Sequence, residues 1–413
     1  MSQQVRQSQL LLGLTGTVDY EIEWDSDVVA TLARQAGVAA ASDLDEQIRT
    51  ESDLVSSVLG FIAQDRGGER HVSNTDVLVR FASRFRYKCT IGGSGVRASL
   101  ALAALGYPSM VHLVSIDDTV RSLLPAEVRY FCSADADSLD PHLIVQYPAD
   151  VRVATSAQVV TGVHANRLIY VNDPASRDML LHPDLPALIA QADVFLLCGF
   201  NGMRDLSLLI DRIDQVMAGI VAMRPDAFVF YEDAGYHVPE LGTAVRERVL
   251  PHCDVWSMNE DELQALIGYR FDLTDAEALA HALRDAFRLH PVRNLLVHSQ
   301  YWAVIAGADA DLLLPCVRHG IDVASTRFAY GDEMSEATVT QTAQLPRHPA
   351  GADLVGRLAK YLGNARGCAV PDQRWVENPT TIGLGDTFAG GFLHEYARRR
   401  DAVVPDLTPT RRM

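Results

Sequence analysis

The chain has 413 residues, 48% of them hydrophobic and 22% charged, enough to bury a large core, and it reads as a globular protein with one big domain and a smaller partner. Thirty-six basic residues against 53 acidic ones leave a net charge of −17. That balance argues against nucleic acid as a partner and requires any anionic ligand to be met by local donors and by metal.

Cys89, Cys132, Cys198, Cys253, Cys316 and Cys368 are scattered without CxxC spacing, which suggests neither a zinc site nor a disulfide-stapled scaffold. The start "MSQQVRQSQLLLGLTG" lacks the features of a signal peptide, and no run approaches the roughly 18 apolar residues of a membrane span. A cytoplasmic location without membrane contact is the default expectation.

In chain order, "LLLGLTG" predicts a short buried strand ending near Thr15 to Asp19, and "SDVVATLARQAGVAA" an amphipathic helix. Between about residues 42 and 90 lies polar helical material, "ESDLVSSVLGFIAQ" and "TDVLVRFASRFR", joined by the turn-like "DRGGER". "IGGSGVRASLALAALGYPSMVHLVS" follows as a glycine turn, an alanine-rich helix and a strand. "VRYFCS", "HLIVQYP" and "NRLIYVND" are shorter strands suited to a small second sheet. From residue 193, apolar strands such as "VFLLCGF", "AFVFYED", "CDVWSMN" and "NLLVHS" alternate with helices. This alternation predicts a parallel sheet covered on both faces. The tail "RRRDAVVPDLTPTRRM" reads as a helix end and a frayed terminus.

Ligands of open α/β sheets collect beyond the carboxyl ends of the strands. In "TIGLGDTFAGGF", Gly383, Leu384, Gly385 and Asp386 precede a helix that opens in small residues. Free N–H groups there can hold an anion, and the adjacent carboxylate can take a proton from an attacking hydroxyl. The bland alternative makes Asp386 an N-cap and the glycines packing residues. In "WSMNEDEL", Asn259 and Glu262 share a helical face and can orient water around a phosphate-bound Mg²⁺, or else form a simple capping box. Asp19, past the first strand, can accept from sugar hydroxyls or sit in a solvated turn. Gly92 to Gly106 can line a substrate wall or only pack.

With these residues in place, the chain resembles the ribokinase-like superfamily through "GGSGVRASLALAALG" and "TIGLGDTFAGGF". More narrowly, it is similar to the ADP-dependent glucokinase and phosphofructokinase family through "HLIVQY", "ANRLIYVND", "CGFNGM", "WSMNEDEL", "LLVHSQ" and "GLGDTF", in that order. The resemblance implies an α/β fold, a doubly wound, mostly parallel central sheet with helices on both faces and a small α+β lid. The core would take roughly residues 1–18, 92–125 and 172–413, and the lid roughly 19–91 and 126–171. It also implies transfer of the β-phosphoryl group of ADP to a hexose, leaving AMP, with Mg²⁺ as cofactor, in a monomer or dimer.

By resemblance, Asp386 is the base, and the backbone of Gly383, Leu384, Gly385 and Asp386 the anion hole. Asn259 and Glu262 match the magnesium motif, acting through water, and Asp19 the sugar-hydroxyl carboxylate. Gly92 and Gly93 match the substrate-side turn, Arg167 the arginine of an "NRFI"-like run, and His298 the nucleotide-side histidine. Glu69, in "GGER", falls where glucose-preferring members tend to carry a glutamate, which leans toward an unphosphorylated sugar. Gln146, Ser299 and Ser94 depart from the glutamate, threonine and glutamine of the family pattern. The chain also ends soon after the "GLGDTF" helix, where terminal elements near the adenine would lie. Alternatives are an ATP-dependent ribokinase-type kinase for a sugar or nucleoside, a hexose-phosphate kinase acting on fructose 6-phosphate, and a silent sugar- or nucleotide-binding homologue.

Overall fold

The computed structural model describes residues 7–38, 44, 46–236, 238–376 and 379–402. Sixteen strands are found among them. In the first half of the chain they are β1 (Leu10–Leu12), β2 (Thr17–Ile22), β3 (Gly68–His71), β4 (Tyr87–Gly92), β5 (Ser109–Leu113), β6 (Val128–Cys132), β7 (His142–Tyr147) and β8 (Arg152–Ala154). The second half supplies β9 (Val159–Thr161), β10 (Asn166–Val171), β11 (Val194–Leu197), β12 (Phe228–Glu232), β13 (Val255–Asn259), β14 (Asn294–His298), β15 (Trp302–Gly307) and β16 (Ala365–Ala369).

Nine strands form one sheet in the order β16-β15-β14-β13-β12-β11-β1-β5-β6. It is parallel from β14 to β6, as the alternation of strands and helices predicts. The pairings of β14 with β15 and of β15 with β16 are antiparallel. Along each central strand, side chains alternate between two cores. Leu11, Phe195, Val229, Trp256 and Leu295 pack on one face, while Leu12, Leu196, Phe230, Val255 and Leu296 pack on the other. Burial on both faces is why these strands read as unbroken apolar runs.

The chain leaves this sheet twice to build a second one, ordered β3-β10-β7-β2-β4. Here only alternate residues reach a core. Leu143, Val145, Leu168 and Tyr170 pack against Val55, Val58, Leu59 and Ile62 of the helix Glu51–Ala63. Thr50 starts that helix with a capping box closed by Asp53. The intervening residues point away from the core and form a cleft wall.

Three expectations need correction. Val128–Cys132, expected in the small sheet and within the lid span, pairs along its length with β5 in the large one. The latter part of the "DRGGER" turn, from Gly68, belongs to the strand Gly68–His71, which pairs with β10. Asp19 does follow the first strand, but it is not in a solvated turn: it lies within β2 and is 5% exposed. The tail from residue 403 lies outside the described residues. All six cysteines are free, and among the described residues no helix is long and apolar enough to cross a membrane.

The exit of β1 is pinned by a buried histidine. His112, on β5, donates from Nδ1 to the Leu14 carbonyl at 2.8 Å and accepts at Nε2 from the His182 N–H at 3.1 Å. Both ring nitrogens are used by the neutral form, and burial pushes the imidazole down to about 4. His394, pushed down to about 4 by burial and by neighbouring His319, acts with the same sign. Between pH 6.5 and 4 the unfolded chain therefore binds protons that the folded one refuses. The His112 share of stability, about 3 kcal/mol by linkage, should be lost as pH falls through that window. Urea unfolding at pH 7 and pH 4.5 should show the drop, and His112→Asn should flatten part of it.

Candidate active site

The order of strands reverses at β1, which has β11 on one side and β5 on the other. Ligands bind at such a switch point. Thr15, just beyond β1, and Gly199, just beyond β11, line a polar cleft of about 660 Å³ there. Its opposite wall is the coreless face of the small sheet. Thr17 and Asp19 come from β2, Glu69 and His71 from β3, His142 and Ile144 from β7, and Arg167 and Ile169 from β10. The period of two along a strand sends them all the same way.

At the floor of the cleft, the helix Leu384–Asp401 starts from Gly383, whose φ of 69° is left-handed and suits glycine. Its first intrahelical bond runs from the Thr387 N–H to the Gly383 carbonyl, so the N–H groups of Leu384, Gly385 and Asp386 precede it. They form the exposed end of the helix dipole. Asp386 is not the N-cap. It lies in the first turn, half-buried, and lines the cleft with Gly383.

Leu384 and Phe388, on the same first turns, line a second, mainly apolar cleft of about 470 Å³ with His298, Tyr301, Phe328 and Val370. The two clefts therefore meet at the helix N-terminus. A Cβ added to Gly385 would lie 3.1 Å from the His298 ring, so the glycine lets imidazole and loop touch. His298 Nε2 is 3.1 Å from Glu232 Oε1. Burial alone would depress this histidine, but the Glu232, Glu262 and Glu260 carboxylates raise it above its ordinary value.

Asn259 pairs in register with His298 at the ends of β13 and β14. It forms a true capping box with Glu262: Asn259 Oδ1 accepts from the Glu262 N–H, and Glu262 Oε2 accepts from the Asn259 N–H, both at 2.8 Å. The cap thus uses one oxygen of each and leaves Glu262 Oε1 and the Asn259 amide nitrogen outside it. Burial, with the Glu232 carboxylate adding to it, pushes Glu262 up to about 8. Glu232 is buried with Oε2 lacking a hydrogen-bond partner.

On the polar-cleft side, Asp19 Oδ2 accepts from Arg97 Nη2 at 2.6 Å. A Cβ on Gly92 would come within 2.6 Å of that carboxylate, so the side chain lies flat on the end of β4. Gly93, with φ of 91°, makes the turn into the helix Ser94–Ala104. His142 faces Asp19 Oδ1 at 3.8 Å and Asp173 Oδ2 at 3.3 Å. Burial would lower its pKa, and Asp173 and Asp19 raise it instead. Arg177 and Arg204 share the cleft with Glu69. Arg204 is depressed by burial and by Arg177, with Glu69 opposing.

Two contacts join the small sheet to the loop before Asp386. The Thr381 hydroxyl donates to Gln146 at 2.9 Å, and Arg167 Nη1 donates to the Thr381 carbonyl at 3.4 Å. Arg167 and Gln146 are register partners in β10 and β7. Ser299 does not line the polar cleft; its hydroxyl closes the turn onto the Trp302 carbonyl at 3.0 Å.

Of the residues singled out in the sequence, Asp19, Glu69, Gly93, Arg167, Gly383 and Asp386 come together on the polar cleft, with Gly92 behind Asp19. His298 lines the apolar cleft. Asn259 and Glu262 line neither and stand beside His298 and Glu232. Sequence reasoning missed Arg97, His142, Asp173, Arg177, Arg204 and Glu232. The signal for His142 was the period of two in "HLIVQY"; Arg97 sits in an alanine-rich helix and carried none.

No curated protein sequence matches the chain. Among solved structures, a hypothetical ADP-dependent phosphofructokinase from Pyrococcus horikoshii OT3 superposes with a TM-score of 0.73 at 16% identity, over 96% of this chain and 99% of that one. An ADP-dependent kinase in complex with fructose-6-phosphate and ADPβS gives 0.69 at 14% identity, over 94% of each chain. These likenesses establish the fold. The profile of the ADP-specific phosphofructokinase/glucokinase conserved region matches residues 8–394. The chain therefore belongs to the ADP-specific phosphofructokinase/glucokinase family, ADP-dependent sugar kinases that pass a phosphoryl group to a hydroxyl.

Proposed function

We propose that the enzyme transfers the β-phosphoryl group of ADP to a hydroxyl of an unphosphorylated, glucose-like hexose, leaving AMP, with Asp386 as general base. The observation that carries this reading is the meeting of two clefts at one helix N-terminus. The apolar cleft suits the adenine, among Tyr301, Phe328, Val370 and Phe388. The polar one suits a polyol, and the N–H groups of Leu384, Gly385 and Asp386 lie where the transferring group must pass.

In this scheme Asp386 accepts the proton as the sugar oxygen attacks phosphorus in line, and the bond to the AMP oxygen breaks. The helix N-terminus receives the charge on the transferring phosphoryl group. Arg167, reaching across to the Thr381 carbonyl, brings a guanidinium over the same turn. No covalent intermediate is required, because positioning and electrostatics can carry phosphoryl transfer.

The residues fit Mg²⁺, which the family implies. Glu232 offers a buried carboxylate oxygen without a partner, and Glu262 a carboxylate driven toward its neutral form for want of a countercharge. These are hard oxygen donors. Among the described residues no group of three or more His, Cys, Asp or Glu can hold an ion by itself. Asn259, Glu262 and Glu232 would therefore hold it largely through water, as Mg²⁺ prefers. When bound, the ion supplies neutralisation of charge on the phosphate oxygens.

Glu69 supports a neutral sugar, since a carboxylate in the wall accepts from hydroxyls and repels phosphate. Arg177 and Arg204 beside it favour a second reading, a hexose phosphate such as fructose 6-phosphate. Assays crossing ADP and ATP with glucose, fructose and fructose 6-phosphate decide between them. We expect ADP with glucose to be fastest; exclusive use of fructose 6-phosphate would establish the second reading, and no transfer to any of the three would sink both.

Asp386→Asn should lower kcat by about 10²–10⁴-fold while ADP still binds in calorimetry. Chelation by EDTA should abolish turnover, and added Mg²⁺ should restore it. Glu69→Gln should raise the KM for glucose about tenfold or more and leave that for ADP unchanged.

A further inference from the structure

Arg97 touches both halves of the polar cleft. It lies on the helix Ser94–Ala104, 5% exposed. Its Nη2 donates to Asp19 Oδ2 at 2.6 Å and stands 3.8 Å from Glu21 Oε1. Its stem passes over the catalytic loop so closely that a Cβ on Gly383 would lie 2.5 Å from Arg97 Cδ. The glycine at 383 is thus required twice, by its left-handed φ and by the arginine stem.

We propose, resting on the sugar-kinase reading above, that Arg97 is a positioning residue that ties the sugar-binding carboxylate Asp19 to the loop carrying Asp386, fixing the acceptor hydroxyl against its base.

The geometry constrains Asp19 from three sides. Arg97 takes Oδ2, the Gly92 backbone supports the plane of the carboxylate, and Oδ1 is left toward the cleft and His142. The same guanidinium also lies in the field of Asp386. Burial would discharge it, and Asp19, Asp386 and Glu21 together hold it charged. Arg97 also borders open space on a second side. It lines, on its far side, a separate cavity of about 450 Å³ bordered by Lys88, Arg327 and Asp332. Shortening the side chain would join that cavity to the cleft and release both Asp19 and the Gly383 turn. Reacting groups misplaced by about 1 Å lose on the order of 10²-fold in rate. Lysine cannot substitute fully, because its point charge lacks the planar fork that engages a carboxylate.

A structural ion pair and a positioning one differ in a double-mutant cycle on kinetics. Arg97→Met should raise the sugar KM by about tenfold or more and lower kcat by about 10–100-fold, with the KM for ADP within about twofold of wild type. In an Asp19→Asn background the same change should move the sugar KM by less than about twofold, because the path from Arg97 to the sugar is already broken. Should Arg97→Met fail to fold by circular dichroism, Arg97→Lys goes through the same cycle, with the same direction and smaller size expected. Wild-type sugar KM and kcat in the arginine variant, or effects of the two substitutions that simply multiply, would overturn the inference. Asp386→Asn assayed alongside keeps the two levels apart. A wild-type enzyme inactive on hexoses and hexose phosphates, or a fully active Asp386→Asn, defeats the reading of the site, whereas an active wild type with an indifferent Arg97→Met defeats only the role of Arg97.

Discussion

A chain of net charge −17 that handles a nucleoside diphosphate must gather positive potential at one spot against its own average field. Buried and half-buried carboxylates make this harder, since Asp19, Glu232, Glu262 and Asp386 all stand at or near the ends of elements that converge on the clefts. The fold meets the constraint locally. N–H groups of the first turn after Gly383, which precede the first intrahelical bond, supply fixed partial charge, and Arg97 and Arg167 supply full charge within the field of Asp386. His298, held above its ordinary pKa by Glu232, adds to the apolar cleft. Each of these donors is directed, so it favours an anion at one place without drawing anions to the whole surface.

The small sheet has a second job beyond covering the cleft. One of its faces closes a core of its own around Leu59, Phe61, Leu143 and Tyr170. Because side chains alternate along each strand, the other face presents Asp19, Glu69, His142 and Arg167 from four different strands. A shift of one residue in any of these strands would exchange a core residue for a ligand-facing one. Stability of the small sheet and the makeup of the cleft wall are thus set by the same register. The contacts from Gln146 and Arg167 to Thr381 extend that register to the loop before Asp386.

Several parts of the site were legible in the sequence because they are local. Glycines before a helix of small residues announce a helix N-terminus, and the NxxE spacing announces a capping box, which the structure contains. The two roles offered for Asn259 and Glu262 also prove compatible, since the cap uses only part of each side chain. Asp19 was recognised as a candidate acceptor, with a solvated turn as the alternative; its place inside a strand was not seen, because β2 follows β1 closely and belongs to the other sheet. The strand Val128–Cys132 was assigned to the wrong sheet for a related reason: length and turn boundaries identify a strand but not its neighbour.

What the sequence determined by itself was the alternation of apolar strands with helices, the helix N-terminus at Gly383 and the acidic groups at strand ends, all properties of a few consecutive residues. Tertiary structure alone decided which of those groups meet. Arg97 and Asp19 are 78 positions apart, and His298 and Glu232 are 66 apart. Nothing in a local window marks such pairs, because the energy that selects them is the cost of burying each charge without the other. That cost arises only once packing removes the pair from water, where the helix Ser94–Ala104 meets the small sheet for Arg97 and Asp19, and at the strand ends of the large sheet for His298 and Glu232.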